Sequence, residues 1–272
     1  MSKTTLPTLT AVSADGTPIA YEVRGGGPAL VLVDGALCRR EMGPSRGLAE
    51  ALADRFTVYA YDRRGRGESG AGTSPWAIER EVEDLVAVIE AASGHAHLLG
   101  VSSGAALVLE AAKRGVMADK VIGYEAPFIL DDTHAPNDPA LPGRMRALVE
   151  AGKRGEAVAL FMKTVGAPGF MTKVMALTPV WKKLTAAAHT LPHDLSILID
   201  FERGAPLPAG YYAGVKQQVL MAAGGKSPAY MRNAQQRVAE ALPDGRYAEL
   251  PGQTHMVKAA ALSPVVTKFL AE

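Results

Sequence analysis

A serine between small residues is the strongest candidate for chemistry in this sequence. Ser102 lies in the run Gly100-Val101-Ser102-Ser103-Gly104, a G-x-S-x-G pattern that joins an apolar run to an apolar helical stretch. A turn this tight between a strand and a helix needs small neighbours, and it exposes the serine oxygen at the carboxyl edge of a sheet. The N-terminus of the following helix favours negative charge that develops beside it. The pattern therefore predicts that Ser102 is a nucleophile and that Ser103 offers its backbone N–H.

A second glycine pattern, Gly65-Arg66-Gly67-Glu68-Ser69-Gly70, has the spacing of a dinucleotide-binding turn. In such a turn the first glycine follows a strand directly, and the last opens a helix whose N-terminus holds a pyrophosphate. Here residues 62–64 separate the glycines from the preceding apolar run, and residues 71–75 delay the next helix. The context favours a glycine-rich turn over a cofactor loop. We expect no organic cofactor, and no Cys/His cluster has the spacing of a zinc site.

Short apolar runs alternate with helical patterns along the chain. The runs at 8–12 and 18–24 flank a turn and predict an opening hairpin. Buried strands are predicted at 29–33, 56–61, 97–101, 121–124, 218–222 and 247–250. Helices are predicted over 78–89, with an acidic outer face, and over 104–113, which is apolar nearly all round. This alternation predicts an α/β fold with a mostly parallel central sheet and helices on both faces.

The segment 131–208 breaks this alternation. It is rich in Pro, Met and Lys, with helical stretches near 141–152, 155–164 and 178–188 and no clear buried strand. An insertion between two strands lies over one edge of the sheet, so we interpret the segment as a helical cap, or lid. We expect one structural domain overall, with a core formed by 1–130 and 209–272 and a cap formed by 131–208.

The composition excludes several classes of protein. The 272 residues are 48% hydrophobic and 21% charged, with 29 basic and 28 acidic residues and a net charge of +1. This balance disfavours nucleic acid or an anionic membrane as a partner, and the apolar fraction is too high for disorder. The single cysteine, Cys38, cannot form an intramolecular disulfide. Since no run resembles a signal peptide or a membrane span, we expect a cytoplasmic protein with a small-molecule partner.

The chain resembles the α/β-hydrolase superfamily over nearly its whole length. The residues that carry the resemblance follow in family order: the opening hairpin, Val33-Asp34-Gly35-Ala36, the run from Asp62 to Ser69, and the turn at Ser102. The resemblance implies that the backbone N–H groups of Ala36 and Ser103 form an oxyanion hole. Family members often carry His-Gly where this chain has Asp34-Gly35. Because the donors are main-chain groups, we interpret Asp34 as a turn residue.

The resemblance also implies a base in the loop after the last strand. Of the 6 histidines, His255 lies there, in Glu249-Leu250-Pro251-Gly252-Gln253-Thr254-His255. His95 and His97 flank a central strand at its amino end, which places them far from Ser102. The remaining histidines, in the predicted cap, could contact substrate, although solvent exposure is favoured: His134, His189 and His193.

The acid that would orient His255 is missing from its usual place. Most relatives place an aspartate after the penultimate strand, but residues 223–228 contain no carboxylate. Glu125 directly follows the strand before the cap, and a carboxylate there reaches the same imidazole from the neighbouring position. One group of haloalkane dehalogenases resembles this arrangement. We predict that Glu125 is the acid, with Asp131 and Asp132 as alternatives.

Together these residues predict a serine hydrolase that cleaves a small or medium, largely uncharged carboxylic ester or lactone through an acyl-enzyme. The apolar residues proposed for its pocket are Phe128, Phe161, Met162, Met171 and Trp181, with Phe170, Met175 and Leu177 nearby in the cap. Two alternatives stay open. One is a cofactor-free perhydrolase or haloperoxidase-like enzyme with the same triad. The other is a non-catalytic receptor or small-molecule-binding relative of the fold. The sequence predicts neither the natural substrate nor the oligomeric state.

Overall fold

A computed structural model describes residues 6–73 and 75–272 of the chain. Two predictions fall partly outside the described residues. The lack of a signal peptide rests in part on residues 1–5, and the turn over residues 71–75 includes Ser74.

Eight strands form one sheet in the order β1-β2-β4-β3-β5-β6-β7-β8. The strands are β1 (Leu9–Val12), β2 (Pro18–Gly25), β3 (Ala29–Val33), β4 (Thr57–Tyr61), β5 (His97–Val101), β6 (Lys120–Tyr124), β7 (Gln218–Gly224) and β8 (Gly245–Leu250). β1 pairs antiparallel with β2 and β2 antiparallel with β4, while every pair from β4 to β8 is parallel. The predicted fold class and opening hairpin are confirmed.

Helices cover both faces of the sheet. They are α1 (Pro44–Leu52), α2 (Ile78–Ala91), α3 (Ser103–Lys113), α4 (Leu141–Glu150), α5 (Arg154–Thr164), α6 (Gly169–Met175), α7 (Pro179–Ala187), α8 (Leu191–Leu198), α9 (Ala229–Ala241) and α10 (Ala259–Ala271). Successive residues of a strand point to opposite faces. Accordingly Val31 joins the core cluster that contains α2, α3 and α9, whereas Leu30 and Leu32 join the cluster that contains α1 and α10. This two-sided burial explains why β3 is a continuous apolar run.

Helices α4 to α8 lie between β6 and β7 and enclose a separate hydrophobic cluster. We use the name cap only as a label for this inserted segment, residues 131–208. Leu141, Met145, Leu184 and Leu191 are buried in this cluster. Leu37, from the loop after β3, is buried among them, so the inserted helices pack on a loop at the carboxyl edge of the sheet. Among the described residues, no helix combines the length and the apolar character that a membrane crossing requires.

Candidate active site

Ser102 lies on a strained turn between β5 and α3. Its φ of 59° and ψ of −127° are unusual for a residue with a side chain and cost about 1–3 kcal/mol. The turn closes because its neighbours are glycines: a Cβ at Gly100 would lie 2.3 Å from the Gly104 carbonyl oxygen, and one at Gly104 would lie 2.1 Å from that of Val33. The Ser102 N–H donates to the Tyr124 carbonyl at 2.9 Å. Packing and hydrogen bonding thus hold the turn in this shape.

The structure brings three predicted site residues into one hydrogen-bonded chain. His255 Nε2 lies 3.2 Å from Ser102 Oγ, and His255 Nδ1 lies 2.9 Å from Glu125 Oε2. Glu125 is fully buried, whereas the His255 side chain keeps 38% of its exposure. A nucleophile, a base and a carboxylate that orients the base are the parts that acyl transfer by a serine requires.

Backbone geometry holds Glu125 in this position. Its φ is 49°, in the left-handed region, so the chain bends sharply where β6 ends. The Glu125 N–H donates to the Ala222 carbonyl at 3.0 Å, and Glu125 Oε1 accepts the Gly224 N–H at 2.7 Å. One carboxylate oxygen is therefore held by β7 and the other faces the imidazole. The end of β7, which carries no carboxylate of its own, thus supplies a hydrogen bond that orients Glu125.

Asp131 and Asp132 make other contacts. Asp131 accepts hydrogen bonds from Thr133 and from Asn233 at 2.8 Å, and Asp132 is exposed. Among the described carboxylates, Glu125 is the one within hydrogen-bonding distance of His255.

The other histidines lie in different surroundings. His97 begins β5, at the opposite end of the strand from Ser102. His134 is exposed as expected, but His189 and His193 are half-buried. The His193 ring stacks on Trp76 with centroids 4.7 Å apart, and burial lowers the pKa of His193 to about 4. The expectation of solvent exposure is wrong for these two cap histidines, because they pack between the cap and the core.

The loop after β3 forms a tight turn next to Ser102. The Cys38 N–H donates to the Gly35 carbonyl at 3.3 Å, and Leu37 has a φ of 62°. A Cβ at Gly35 would lie 2.8 Å from Ser102 Cβ, so only glycine permits this approach. Ala36, predicted to be an oxyanion-hole donor, follows Gly35 in this turn, and Ser103 opens α3 on the other side of Ser102.

Asp34 does more than fill a turn. Its side chain is buried, and Oδ1 accepts the Ser45 N–H at 3.1 Å, at the start of α1. Burial raises the pKa of the Asp34 carboxyl to about 6 despite that hydrogen bond. Nearby, burial raises the pKa of the Cys38 thiol to about 12, so this cysteine stays protonated and weakly nucleophilic. Asp34 joins the loop after β3 to helix α1.

A buried ionic network lies between this loop and the cap. Asp194 of α8 accepts hydrogen bonds from Arg63 at 2.8 Å, Arg66 at 2.6 Å and the Ser103 hydroxyl at 2.7 Å. Arg63 also forms a two-point contact with Glu81, at 2.9 and 2.8 Å. Sequence patterns indicated neither Asp194 nor Gly224 as a partner of the site. Partners contributed by an insertion or a backbone amide leave no local motif.

The five predicted pocket residues are divided among three environments. Phe128 is buried in the main core, with its ring centroid 4.5 Å from that of Phe201. The half-buried side chains of Phe161, Met162 and Trp181 pack against the cap cluster. Met171, on α6, is 46% exposed. Their role in a substrate pocket stays a prediction.

The loop with the G-x-G-x-x-G spacing folds back on Asp62. The Gly65 N–H donates to the Gly70 carbonyl at 2.8 Å, and Asp62 Oδ2 accepts the Glu68 N–H at 3.0 Å. The next helix, α2, begins only at Ile78. The loop is a structural turn, as its context predicted. Within the described ranges, no group of three His, Cys, Asp or Glu side chains is placed to hold a metal ion.

Comparisons with known proteins agree with this architecture. The sequence pattern of the Alpha/beta hydrolase family matches residues 30–264. The crystal structure of an alpha/beta hydrolase from Sphaerobacter thermophilus DSM 20745 is 43% identical, with a TM-score of 0.87 over 96% of this chain and 100% of that chain.

Two further relatives are more distant. The uncharacterized hydrolase YraK of Bacillus subtilis (strain 168) is 30% identical over 122 residues, which is 44% of this chain and 44% of that protein's length. The esterase RhEst1 from Rhodococcus sp. ECU1013 is 21% identical, with a TM-score of 0.67 over 97% of this chain and 98% of that chain. The likeness to RhEst1 is one of fold alone.

Proposed function

The chain belongs to the alpha/beta hydrolase family, and we propose that it is a serine hydrolase of small or medium, largely uncharged carboxylic esters or lactones. The observation that carries this proposal is the continuous contact from Glu125 through His255 to Ser102, at 2.9 and 3.2 Å. A buried carboxylate beside Nδ1 fixes the imidazole with its basic Nε2 towards the serine, the arrangement that acyl transfer requires.

In the proposed reaction, Ser102 Oγ attacks the carbonyl carbon of the substrate while His255 Nε2 takes the serine proton. The Ala36 and Ser103 N–H groups stabilise the tetrahedral oxyanion, and His255 returns the proton to the leaving alcohol oxygen. Water, deprotonated by His255, then attacks the acyl carbon. The bond to Ser102 Oγ breaks, His255 returns the proton to that oxygen, and the acid is released. No step uses a metal or an organic cofactor.

The charges around the site support an uncharged substrate. The buried guanidinium groups nearest Ser103, those of Arg63 and Arg66, are already paired with Glu81 and Asp194 at 2.6–2.8 Å. A carboxylate or phosphate on the substrate would have to compete with these contacts. Half-buried apolar cap residues, among them Phe161 and Trp181, favour an apolar acyl or alcohol group.

Hydrolysis of p-nitrophenyl acetate by wild type and by Ser102→Ala tests the mechanism. We expect kcat/KM to fall at least ~10³-fold in the variant, because the nucleophile is removed. Ser196→Ala is the matched control. The Ser196 hydroxyl donates to the Pro192 carbonyl within α8, at 2.7 Å, and we expect its loss to leave kcat/KM within about twofold.

A fluorophosphonate probe and a peroxide assay separate the alternatives. Labelling of wild type but not of Ser102→Ala supports an activated serine, whereas no labelling of wild type favours a non-catalytic binding protein. Peroxide-dependent halogenation of monochlorodimedone that exceeds ester hydrolysis would favour the perhydrolase alternative. Unchanged ester hydrolysis in pure Ser102→Ala would exclude the proposed mechanism.

A further inference from the structure

The peptide group between Gly35 and Ala36 is held from its carbonyl side by a buried arginine. Arg66 Nη1 donates to the Gly35 oxygen at 2.6 Å. The described peptide bonds are trans, and in a trans peptide the C=O and the N–H point in opposite directions. The hydrogen bond that fixes the Gly35 carbonyl therefore also fixes the direction of the Ala36 N–H, on the far side of the peptide from Arg66.

A carboxylate of the cap, Asp194, contacts both Arg66 and the side chain of Ser103, the residue of the second proposed donor. Asp194 Oδ2 accepts from Arg66 Nη2 at 2.6 Å, and Asp194 Oδ1 accepts from the Ser103 hydroxyl at 2.7 Å. Arg63 adds a second connection between Asp194 and the loop after β3. Its Nη1 donates to Asp194 Oδ1 at 2.8 Å and to the Asp34 carbonyl at 3.3 Å. Asp194 therefore contacts Ser103 directly, and it contacts the loop that carries Ala36 through Arg66.

Apolar packing secures the same turn from the cap. Leu37 follows Ala36, has a φ of 62° and is only 3% exposed. A leucine in this conformation is held by its surroundings, and the surroundings are cap residues, among them Leu141 and Leu195. The turn at Ala36 is therefore fixed from the cap twice, through Leu37 and through Arg66.

The ionic part of this connection is buried. Arg66 is 2% exposed and Asp194 is fully buried. Burial alone would raise the pKa of Asp194, but the charges of Arg66 and Arg63 lower it to about 2. The two arginine charges therefore favour the ionised carboxylate. Paired charges with several hydrogen bonds at low dielectric resist rotation of the groups they hold.

We infer that Arg66 and Asp194 are positioning residues, through which the docked cap orients both N–H donors of the oxyanion hole. The inference rests on the proposed serine-hydrolase function and extends it, because it makes the cap a part of the catalytic geometry. Interactions with the oxyanion form in the transition state, so misaligned donors lower kcat and leave KM nearly unchanged.

Arg66→Lys tests the inference, because lysine keeps the charge but not the two-point contact with Gly35 and Asp194. We expect kcat for p-nitrophenyl acetate to fall about 10- to 100-fold, somewhat less than for the loss of a donor, with KM changed less than about threefold. The inhibition constant of phenylboronic acid, whose serine adduct is tetrahedral like the transition state, should rise in parallel with the fall in kcat.

Arg64→Lys is the matched control. Arg64 is equally buried and pairs with Asp84 at 2.6 and 2.7 Å, but it has no hydrogen bond to Gly35, Ser103 or Asp194 among the described contacts. We expect it to lose comparable stability in urea and to keep its kcat within about twofold of wild type. Should Arg66→Lys fail to fold, Ser103→Ala replaces it. That variant removes the contact with Asp194 while keeping the N–H, and we expect a roughly tenfold fall in kcat.

The outcomes separate this inference from the proposal beneath it. Equal kcat and equal boronate affinity in Arg66→Lys and Arg64→Lys, with an active wild type, would overturn the inference alone. A wild type that neither hydrolyses the ester nor binds the boronate would overturn the serine-hydrolase proposal and the inference with it. A fall in kcat that is matched by Arg64→Lys would show a general effect of stability and would also overturn the inference.

Discussion

Two regions of the molecule, the carboxyl edge of the sheet and the outer cap, are built in different ways. At the edge, which comprises the loops after β3, β5 and β6, the backbone fixes the candidate site residues. Ser102 and Glu125 both have positive φ, and Gly35 and Gly104 allow contacts that no side chain could. In the outer cap, which comprises residues 163–183, many apolar side chains are exposed to solvent. α6 buries none of its residues, and Phe170 is 70% exposed.

Because of this difference, we expect substitutions in the two regions to have different effects. Strain at the edge is held by the sheet, by core packing and by hydrogen bonds between neighbouring strands, so a change there affects chemistry and folding together. The outer cap has few such constraints, so we expect a change there to have little effect on folding. The cap also contributes Asp194 to the buried network of Arg63 and Arg66. The Thr190 hydroxyl, also from the cap, accepts a hydrogen bond from Arg66 Nε at 3.1 Å.

Glu125→Gln should have the largest effect among the variants that test this contrast. The amide can still accept the Gly224 N–H, but it removes the negative charge that stabilises the protonated imidazole. We expect kcat for p-nitrophenyl acetate to fall about 10³-fold, with little change in KM.

Asp131→Asn is the control, because Asp131 lies at the base of the cap and bonds Thr133 and Asn233 instead of His255. Its kcat should stay within about twofold of wild type. If Asp131→Asn or Asp132→Asn loses activity while Glu125→Gln keeps it, the acid is wrongly assigned.

A pair of glycine substitutions tests the contrast through stability. A Cβ at Gly104 would lie 2.1 Å from the Val33 carbonyl oxygen, whereas one at Gly143 in α4 has nothing within 4 Å. Gly104→Ala should therefore lose about 3 kcal/mol or more of unfolding free energy, because the backbone must move. Gly143→Ala should gain about 0.5–1 kcal/mol, because alanine is the better helix former. Urea denaturation measures both, and a mild effect at Gly104 would mean that the turn can relax.

The structure of the edge can be predicted from the sequence because it depends on residues that are close together in the chain. The strand and the glycines and serine of the turn at Ser102 are consecutive in the sequence, so one short pattern identifies them. The strand from 97 to 101 is predicted at its observed bounds. Continuous apolar runs likewise predicted the parallel strands, since burial on both faces demands them.

The helices and contacts of the cap are harder to predict from the sequence, because the residues in contact are far apart in the chain. α4, α5 and α7 were predicted within a few residues of their observed ends, but α6 and α8 were not predicted. Most residues of α8 are buried, and α6 is exposed despite its apolar residues. Neither helix therefore has the pattern of one apolar and one polar face that predicts a surface helix. Asp194 lies 131 residues from Arg63, and no local pattern indicates a pair so far apart.

Two buried carboxylates extend the comparison to electrostatics. Asp194, which extends from α8 towards the edge, has two arginine partners that lower its pKa to about 2. Glu202, at the base of the cap, accepts a hydrogen bond from Asn137 at 2.8 Å and has no salt-bridge partner among the described residues. Burial raises the pKa of Glu202 to about 7, and the hydrogen bond from Asn137 offsets this only in part. The same kind of side chain should therefore affect stability in opposite directions with pH.

Glu202→Gln tests that contrast with the smallest expected effect on activity. The folded-state pKa lies above the ordinary value of 4.5, so the folded protein holds a proton that the unfolded chain releases. The stability contributed by this group is present below about pH 4.5 and is lost as the pH rises through about 7, by up to about 3 kcal/mol. We expect the unfolding free energy of Glu202→Gln, relative to wild type, to rise by most of this amount between pH 5 and pH 8, with kcat unchanged. A constant difference across that range would mean that Glu202 is ionised in the folded protein, and the electrostatic contrast with Asp194 would then disappear.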